Sequence, residues 1–306
     1  MNQPKIISLG EVLWDLFPKG ERFGGAPVNF ACHAAMSGAD VTMVGAVGKD
    51  ERGQDAIEIL GKFGINTSLI QTIAGVPTGT VGVEMDAERG HQFTIHEDAA
   101  WDQLAWTSQL AAKITHADAV YFGTLAQRSE TARAQIHRAL NEAKSAGVLR
   151  ILDVNLRAPF FDSQLIRESI ALASVLKLSE EELDAVAQAC EIPLTEDPET
   201  ALRSLLRRFD LEAVVMTRGA EGALFVTAEN AIEQPGMPAK VVDTVGAGDS
   251  FTASLLVGLL RGEEVSSALH RAREVASAVC SQPGAIPEAP EAPKIPEAIE
   301  PHQQNI

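Results

Sequence analysis

The 306-residue chain reads as an α/β protein with a mostly parallel central sheet and helices on both faces. Three observations predict this. From residue 119 onward, short apolar runs alternate with helix-periodic stretches: Ala119–Gly123, a helix over Thr131–Ser145, Leu149–Asn155, another helix, then Val175–Ser179. Repeated βα units of this kind imply parallel strands with ligands gathered at their carboxyl ends. Near the N-terminus, Ile6–Gly10 and Val41–Gly48 are the nearly continuous apolar runs expected of strands buried on both faces. Finally, Val241 and Val242 read as the end of a strand, and Phe251, Leu255, Leu256, Leu259 and Leu260 recur at helical spacing, so the intervening glycines mark a helix start.

Composition narrows the function classes. A net charge of −17, with Lys and Arg spread along the chain, argues against nucleic acid or an anionic membrane as partner. Three widely separated cysteines suit reduced thiols better than a disulfide framework. No apolar run reaches spanning length, so the expectation is a cytoplasmic protein of one large domain with a small appendage.

The stretch Asp243-Thr244-Val245-Gly246-Ala247-Gly248-Asp249-Ser250-Phe251 carries the chemistry. Gly246 and Gly248 lack a Cβ, so an anion can approach the amides at the helix start, where the dipole adds to the attraction. Asp249 beside such a cradle repels a phosphate unless it has a task. Accepting the proton of a hydroxyl that attacks phosphorus is such a task, while capping the helix is the plainer alternative. A dinucleotide fingerprint would need Gly where Phe251 stands, and a Walker A loop Gly-Lys-Ser/Thr where Gly248-Asp249-Ser250 stands. Neither fits.

At the other end of the chain, Asp15 projects from the apolar ribbon 11–17, and Gly24-Gly25-Ala26-Pro27-Val28-Asn29 opens a helix with Pro27 in its first turn. Asp15 and Asn29 offer acceptors and a donor that suit a polyhydroxyl ligand. Arg157, two residues after Asn155 at a strand end, is either a phosphoryl-binding fork or the ion-pair partner of Asp153. Pro77–Asp86 and His91–Glu97 predict a hairpin, and Val214–Thr217 with Ala223–Phe225 two strands joined by a Gly-bearing turn.

Both ends of the chain resemble the motifs of the ribokinase-like, or PfkB, family of carbohydrate kinases, and the likeness extends over roughly residues 5–287. The resemblance implies a three-layer ribokinase-like fold: one kinase domain over 1–306 with a small β lid built from about 11–24 and 78–98, and a flexible tail over 288–306. It implies that Asp249 is the catalytic base and that the Gly246, Ala247 and Gly248 amides form an anion hole. Asp15, Gly24, Gly25 and Asn29 would contact the sugar. The Asp-x-Asn-x-Arg element adds Asn155 to the substrate site and Arg157 to the phosphoryl site. Lys177, Thr217, Gly219 and Gly222 would border ATP, Glu182 would help place Mg2+, and Asp243 with the 281–287 loop would hold a monovalent cation such as K+ beside the adenine wall. The implied activity is ATP-dependent phosphorylation of a sugar's primary hydroxyl, fructose first, with 2-keto-3-deoxygluconate, ribose or a catalytically silent binding role left open. The lid is also a candidate homodimer surface.

Overall fold

The structure, a computed structural model, describes residues 3–86, 90–238 and 240–287. The tail expected over 288–306 lies outside the described residues. The chain runs β1 (Lys5–Leu9), β2 (Leu13–Phe17), β3 (Gly20–Gly24), α1 (Ala26–Met36), β4 (Asp40–Gly48), α2 (Glu51–Lys62), β5 (Asn66–Ile73), β6 (Gly79–Asp86) and β7 (Gly90–Ile95). It continues through α3 (Ser108–Ile114), β8 (Ala119–Gly123), α4 (Glu130–Ser145), β9 (Leu149–Asp153), α5 (Ser163–Leu172), β10 (Val175–Ser179), α6 (Glu180–Ala189), α7 (Pro198–Phe209) and β11 (Ala213–Thr217). Last come β12 (Ala223–Val226), β13 (Ala231–Gln234), α8 (Ala247–Leu260) and α9 (Val265–Cys280).

Nine strands form the large sheet in the order β13-β12-β11-β10-β9-β8-β1-β4-β5. All neighbours from β11 to β5 pair in parallel, whereas β11–β12 and β12–β13 are antiparallel. Alternation along each strand supplies both faces. Ile7 and Leu9 of β1 join the core under α3 to α7, while Ile6 joins Met43, Phe30 and Leu256 in the core under α1, α2 and α8. The chain leaves β1 toward β4 and β5 and later returns to the other side through β8, so the order reverses beside β1, where α/β sheets place their ligands.

A second sheet, β3-β2-β6-β7, is built from two segments far apart in sequence. β2 pairs in parallel with β6, and each has its own antiparallel partner. Leu13, Val81 and Val83 on its inner face pack against Trp101, a small core of its own.

One expectation needs revision. Val241 and Val242 do not end a strand: both are exposed, at 64% and 56%, and the Val242 N–H donates to the Cys280 carbonyl at 2.8 Å. The end of α9 takes the amide that a neighbouring strand would have taken. Asp243, next along, donates its N–H to the same carbonyl. Beyond the predicted elements, β3, β5, β13, α3 and α7 also form.

Candidate active site

α8 is apolar almost all round because it is sandwiched between α1, α9 and the sheet, and Asp249 to Gly258 are buried without a break. Its first turn is correspondingly unusual. Gly246 is the N-cap at φ +79°, a left-handed conformation, and no side chain caps the helix. Ala247 donates its N–H to Thr244 at 3.3 Å, a long bond, while among the described residues no backbone carbonyl outside the helix takes the Gly246 or Gly248 N–H. Two of the three predicted anion-hole amides are thus unspent. A Cβ on Gly246 would lie 2.5 Å from the Ala285 Cβ, and one on Gly248 would lie 3.1 Å from the Lys177 Nζ. The glycines keep the turn closed against the 281–287 loop on one side and let an ammonium sit beneath it on the other.

Asp249 occupies the third position of α8, and its carboxylate accepts a 2.8 Å hydrogen bond from Asn29 Nδ2 on α1. Burial raises its proton affinity, opposed by the Asn29 bond and by the charges of Lys177, Arg157 and His33. It is therefore a better base than a surface aspartate. The capping alternative fails, because the side chain reaches across to α1 instead of back to its own helix.

The residues expected to contact a sugar are contiguous with it. A Cβ on Gly24 would touch Asp15 Oδ2 at 3.4 Å and Asn29 Oδ1 at 3.7 Å, so Gly24 is the gap between these two polar groups. Gly25, at φ +108°, is the N-cap of α1. Burial raises Asp15 to about 6, with Arg157 and Arg22 acting in the opposite sense and Asp243 in the same one. Asp249, Asn29, Gly24 and Asp15 thus form a chain of neighbours from α8 through α1 to the small sheet.

Arg157 is exposed at the exit of β9, and its charge is felt by Asp15, Glu11 and Asp249. It does not pair with Asp153. That carboxylate instead holds Lys177 on the neighbouring strand at 3.1 Å, with both side chains buried. Carboxylates at Asp153, Glu182 and Asp249 outweigh the burial that would strip Lys177 of its proton. Asn155 sits between at φ +42°, a left-handed position that asparagine tolerates.

The two residues expected beside cations are both engaged as hydrogen-bond acceptors. Both oxygens of Glu182 are engaged by backbone amides, Leu156 at 2.7 Å and Ser179 at 2.8 Å, in a box that caps α6 and pins the β9 exit. Asp243 accepts from Val245 and Gly284, each at 3.0 Å, and from Arg22 at 3.1 Å. Its hydrogen-bond partners are thus two backbone N–H groups and a guanidinium. Among the described residues, no group of three or more His, Cys, Asp or Glu is placed to hold a metal.

Thr217 ends β11 beside Ser179 of β10, at the carboxyl edge of the sheet. Gly219 (φ +51°) and Gly222 (φ +104°) shape the turn into β12. A cleft of about 290 Å³ lies between α1, α9 and the 282–287 loop, where His33 Nε2 donates to the Ala285 carbonyl at 2.8 Å. The sequence reading assigned no role to Glu11, Arg22 or His33. His33 stands one helical turn after Asn29 on α1, a spacing that could have drawn notice; Arg22 lies on the unpredicted β3.

Comparison with known proteins agrees with this layout. The profile of the pfkB family carbohydrate kinases matches residues 18–292. A fructokinase of Klebsiella pneumoniae is 30% identical, covering 83% of this chain and 84% of its own. Fructokinase-2 of Oryza sativa is 29% identical over 93% of this chain and 90% of its own. The crystal structure of a fructokinase from Vibrio cholerae O395, in a form with fructose, ADP and calcium bound, superposes with a TM-score of 0.80 at 25% identity, covering 94% and 96% of the two chains. Among the described residues, no helix is long and apolar enough to cross a membrane. A carboxylate standing among unspent helix-end amides, in a chain related along its length to fructokinases, makes this protein a member of the pfkB family of carbohydrate kinases, and hence a phosphotransferase.

Proposed function

We propose that this kinase transfers the γ-phosphoryl group of ATP to the primary hydroxyl of fructose, giving fructose 6-phosphate. The observation that carries the reading is the 2.8 Å bond from Asn29 to Asp249, which ties the base to the polar groups suited to a sugar. Asp15, the Gly24–Gly25 backbone, Asn29 and Asn155 orient the sugar, and Asp249 takes the proton of the attacking hydroxyl. The Gly246 and Gly248 amides, joined by Ala247 once its long bond to Thr244 is given up, hold the charge that develops on the phosphoryl oxygens. Lys177 beneath Gly248 and Arg157 at the rim add positive charge. Thr217, Gly219 and Gly222 border the nucleotide, and the 281–287 loop walls its base. Magnesium bound with the nucleotide would supply positive charge to its phosphates, and Glu182, whose two oxygens accept from backbone amides, would face it only indirectly. The small sheet acts as a lid that excludes water before transfer. Fructose is favoured over 2-keto-3-deoxygluconate and ribose because the relatives compared above are named fructokinases.

ADP release measured with a panel of sugars tests the assignment: fructose should give the highest kcat/KM. Preference for the keto-deoxy acid or ribose would replace the substrate, and no turnover with any sugar would leave a binding role instead. Asp15 provides a pH test. Its carboxyl titrates at about 6, so acceptor capacity is lost as pH falls through that value. The KM for fructose should rise several-fold, on the order of the 1–1.5 kcal/mol of one hydrogen bond, between neutral and mildly acidic pH. Asp15→Asn should show a raised KM that no longer varies with pH; a wild-type KM constant through that range would exclude Asp15 from the sugar site.

A further inference from the structure

Glu11 follows β1, at the point where the chain crosses from the large sheet to the small one, and is 2% exposed. Its Cγ lies 3.5 Å from where a Cβ of Gly25 would stand, so the side chain lies along the entry to α1. One edge of the carboxyl takes backbone N–H groups, its own and that of Ala26 in the first turn of α1, a helix whose N-cap glycine has no side chain to offer. The other oxygen, Oε2, is buried with no partner.

Two more buried polar atoms nearby share that condition: Asn29 Oδ1, one helical turn into α1, and the Tyr121 hydroxyl on β8. Each such orphan has given up its hydrogen bonds to water without replacement, so three of them in one region call for a chemical reason. The charges bearing on the region are identifiable. Glu11 feels Asp249 from α8 and Arg157 from the β9 exit, and Tyr121 feels Glu11, Asp249, Asp153 and Arg157. Asp249 is itself served by the Asn29 amide, Lys177, Arg157 and His33.

Two buried carboxyls that repel each other do not both ionise readily. Asp249 has a side-chain donor at 2.8 Å and three cations or potential cations around it. Glu11 has backbone donors on one edge only. The proton therefore stays on Glu11, and a protonated Oε2 becomes a donor in a neighbourhood that holds an unmet acceptor, Asn29 Oδ1. We propose that Glu11 is a positioning residue for Asp249: it stands in the site as a neutral acid, keeping its proton while Asp249 is ionised, and in that form fixes the first turn of α1 and the Asn29 amide that orients the base. Burial, which lifts Glu11 to about 7, acts in the same direction.

The proposal rests on Asp249 acting as the base of a sugar kinase, so its test has one arm that needs no turnover. In infrared difference spectra of the full chain, wild type should show a protonated-carboxyl band that fades as pH rises through about 7. Glu11→Gln should lack that component; identical spectra from the two proteins would overturn the proposal, whatever the sugar panel gives. In the kinetic arm, Glu11→Gln, which keeps a neutral side chain of the same shape, should retain kcat within about threefold on the acid side of neutrality, and its kcat/KM should lose the wild type's ionisation near neutral pH. Glu11→Ala should lose at least about tenfold in kcat, measured well below its unfolding transition. A Glu11→Gln variant as impaired as Glu11→Ala would mean that the charge is required, and would overturn the neutral acid. If Glu11→Gln cannot be produced, Glu11→Asp carries the same reading: its band must titrate at a different pH from wild type, and an unshifted band counts against the proposal.

Discussion

Asp249→Ala should lower kcat with fructose by about 10²–10⁴-fold, the range that a positioned proton acceptor contributes. The melting temperature should hold or rise, because the substitution removes a buried carboxyl whose burial disfavours its charge. Nucleotide affinity should also survive, since the Gly246 and Gly248 amides are backbone groups and Lys177 is untouched. The check is steady-state ADP release alongside nucleotide binding by calorimetry. Equal turnover in wild type and variant would remove Asp249 as the base, and with it the mechanism proposed above. Loss of turnover together with loss of binding would indicate instead that the helix start had collapsed.

Lys177→Met should have the largest effect on stability. The lysine and Asp153 face each other at 3.1 Å with side-chain exposures of 9% and 1%, and removing one partner leaves the other charge buried and alone. Breaking such a pair costs about 3–5 kcal/mol. Denaturant unfolding should register most of this, although protonation of Asp153 will soften it at low pH. The double variant Asp153→Ala/Lys177→Met should regain much of the lost stability, because no lone charge remains. It should not regain activity, since the ammonium beneath Gly248 is still missing. Recovery of both would make Lys177 a structural lysine only; recovery of neither would mean that packing, not charge, was lost.

The features that set the site were legible where one residue type does something no other can. Gly246 and Gly248 are readable as a helix start because the missing Cβ has a direct steric meaning, and α8 does begin there, with Ala285 and Lys177 in the space that a Cβ would need. The parallel core was readable from its doubly apolar strands. What could not be read was pairing. Nothing in the local pattern of Asp153-Val154-Asn155-Leu156-Arg157 says that Asp153 faces Lys177 on the next strand and that Arg157 donates to the Leu156 carbonyl instead, because register across a parallel sheet is set by neighbours 24 residues away. Glu182 was legible as a helix-start acid, but not that Leu156 would occupy its second oxygen. Val241 and Val242 misled because β-branched residues favour extended backbone whether or not a strand edge is available. β3 and β5 escaped notice because Gly20-Glu21-Arg22 and Asn66-Thr67-Ser68 carry too much polarity to signal a strand, although β3 brings Arg22 to Asp243.

The bond between Asn29 and Asp249 spans 220 positions of the chain. On the ribosome, Asp15, Gly24, Gly25 and Asn29 emerge early and Asn155 midway, while Asp249 and the glycine amides at the start of α8 emerge only after most of these residues have left the tunnel. α8 must then slot between α1 and the finished sheet. A nascent chain that stops short of α8 accordingly lacks both the base and the amide cradle proposed above, and the docking of α8 is the step that would complete the catalyst.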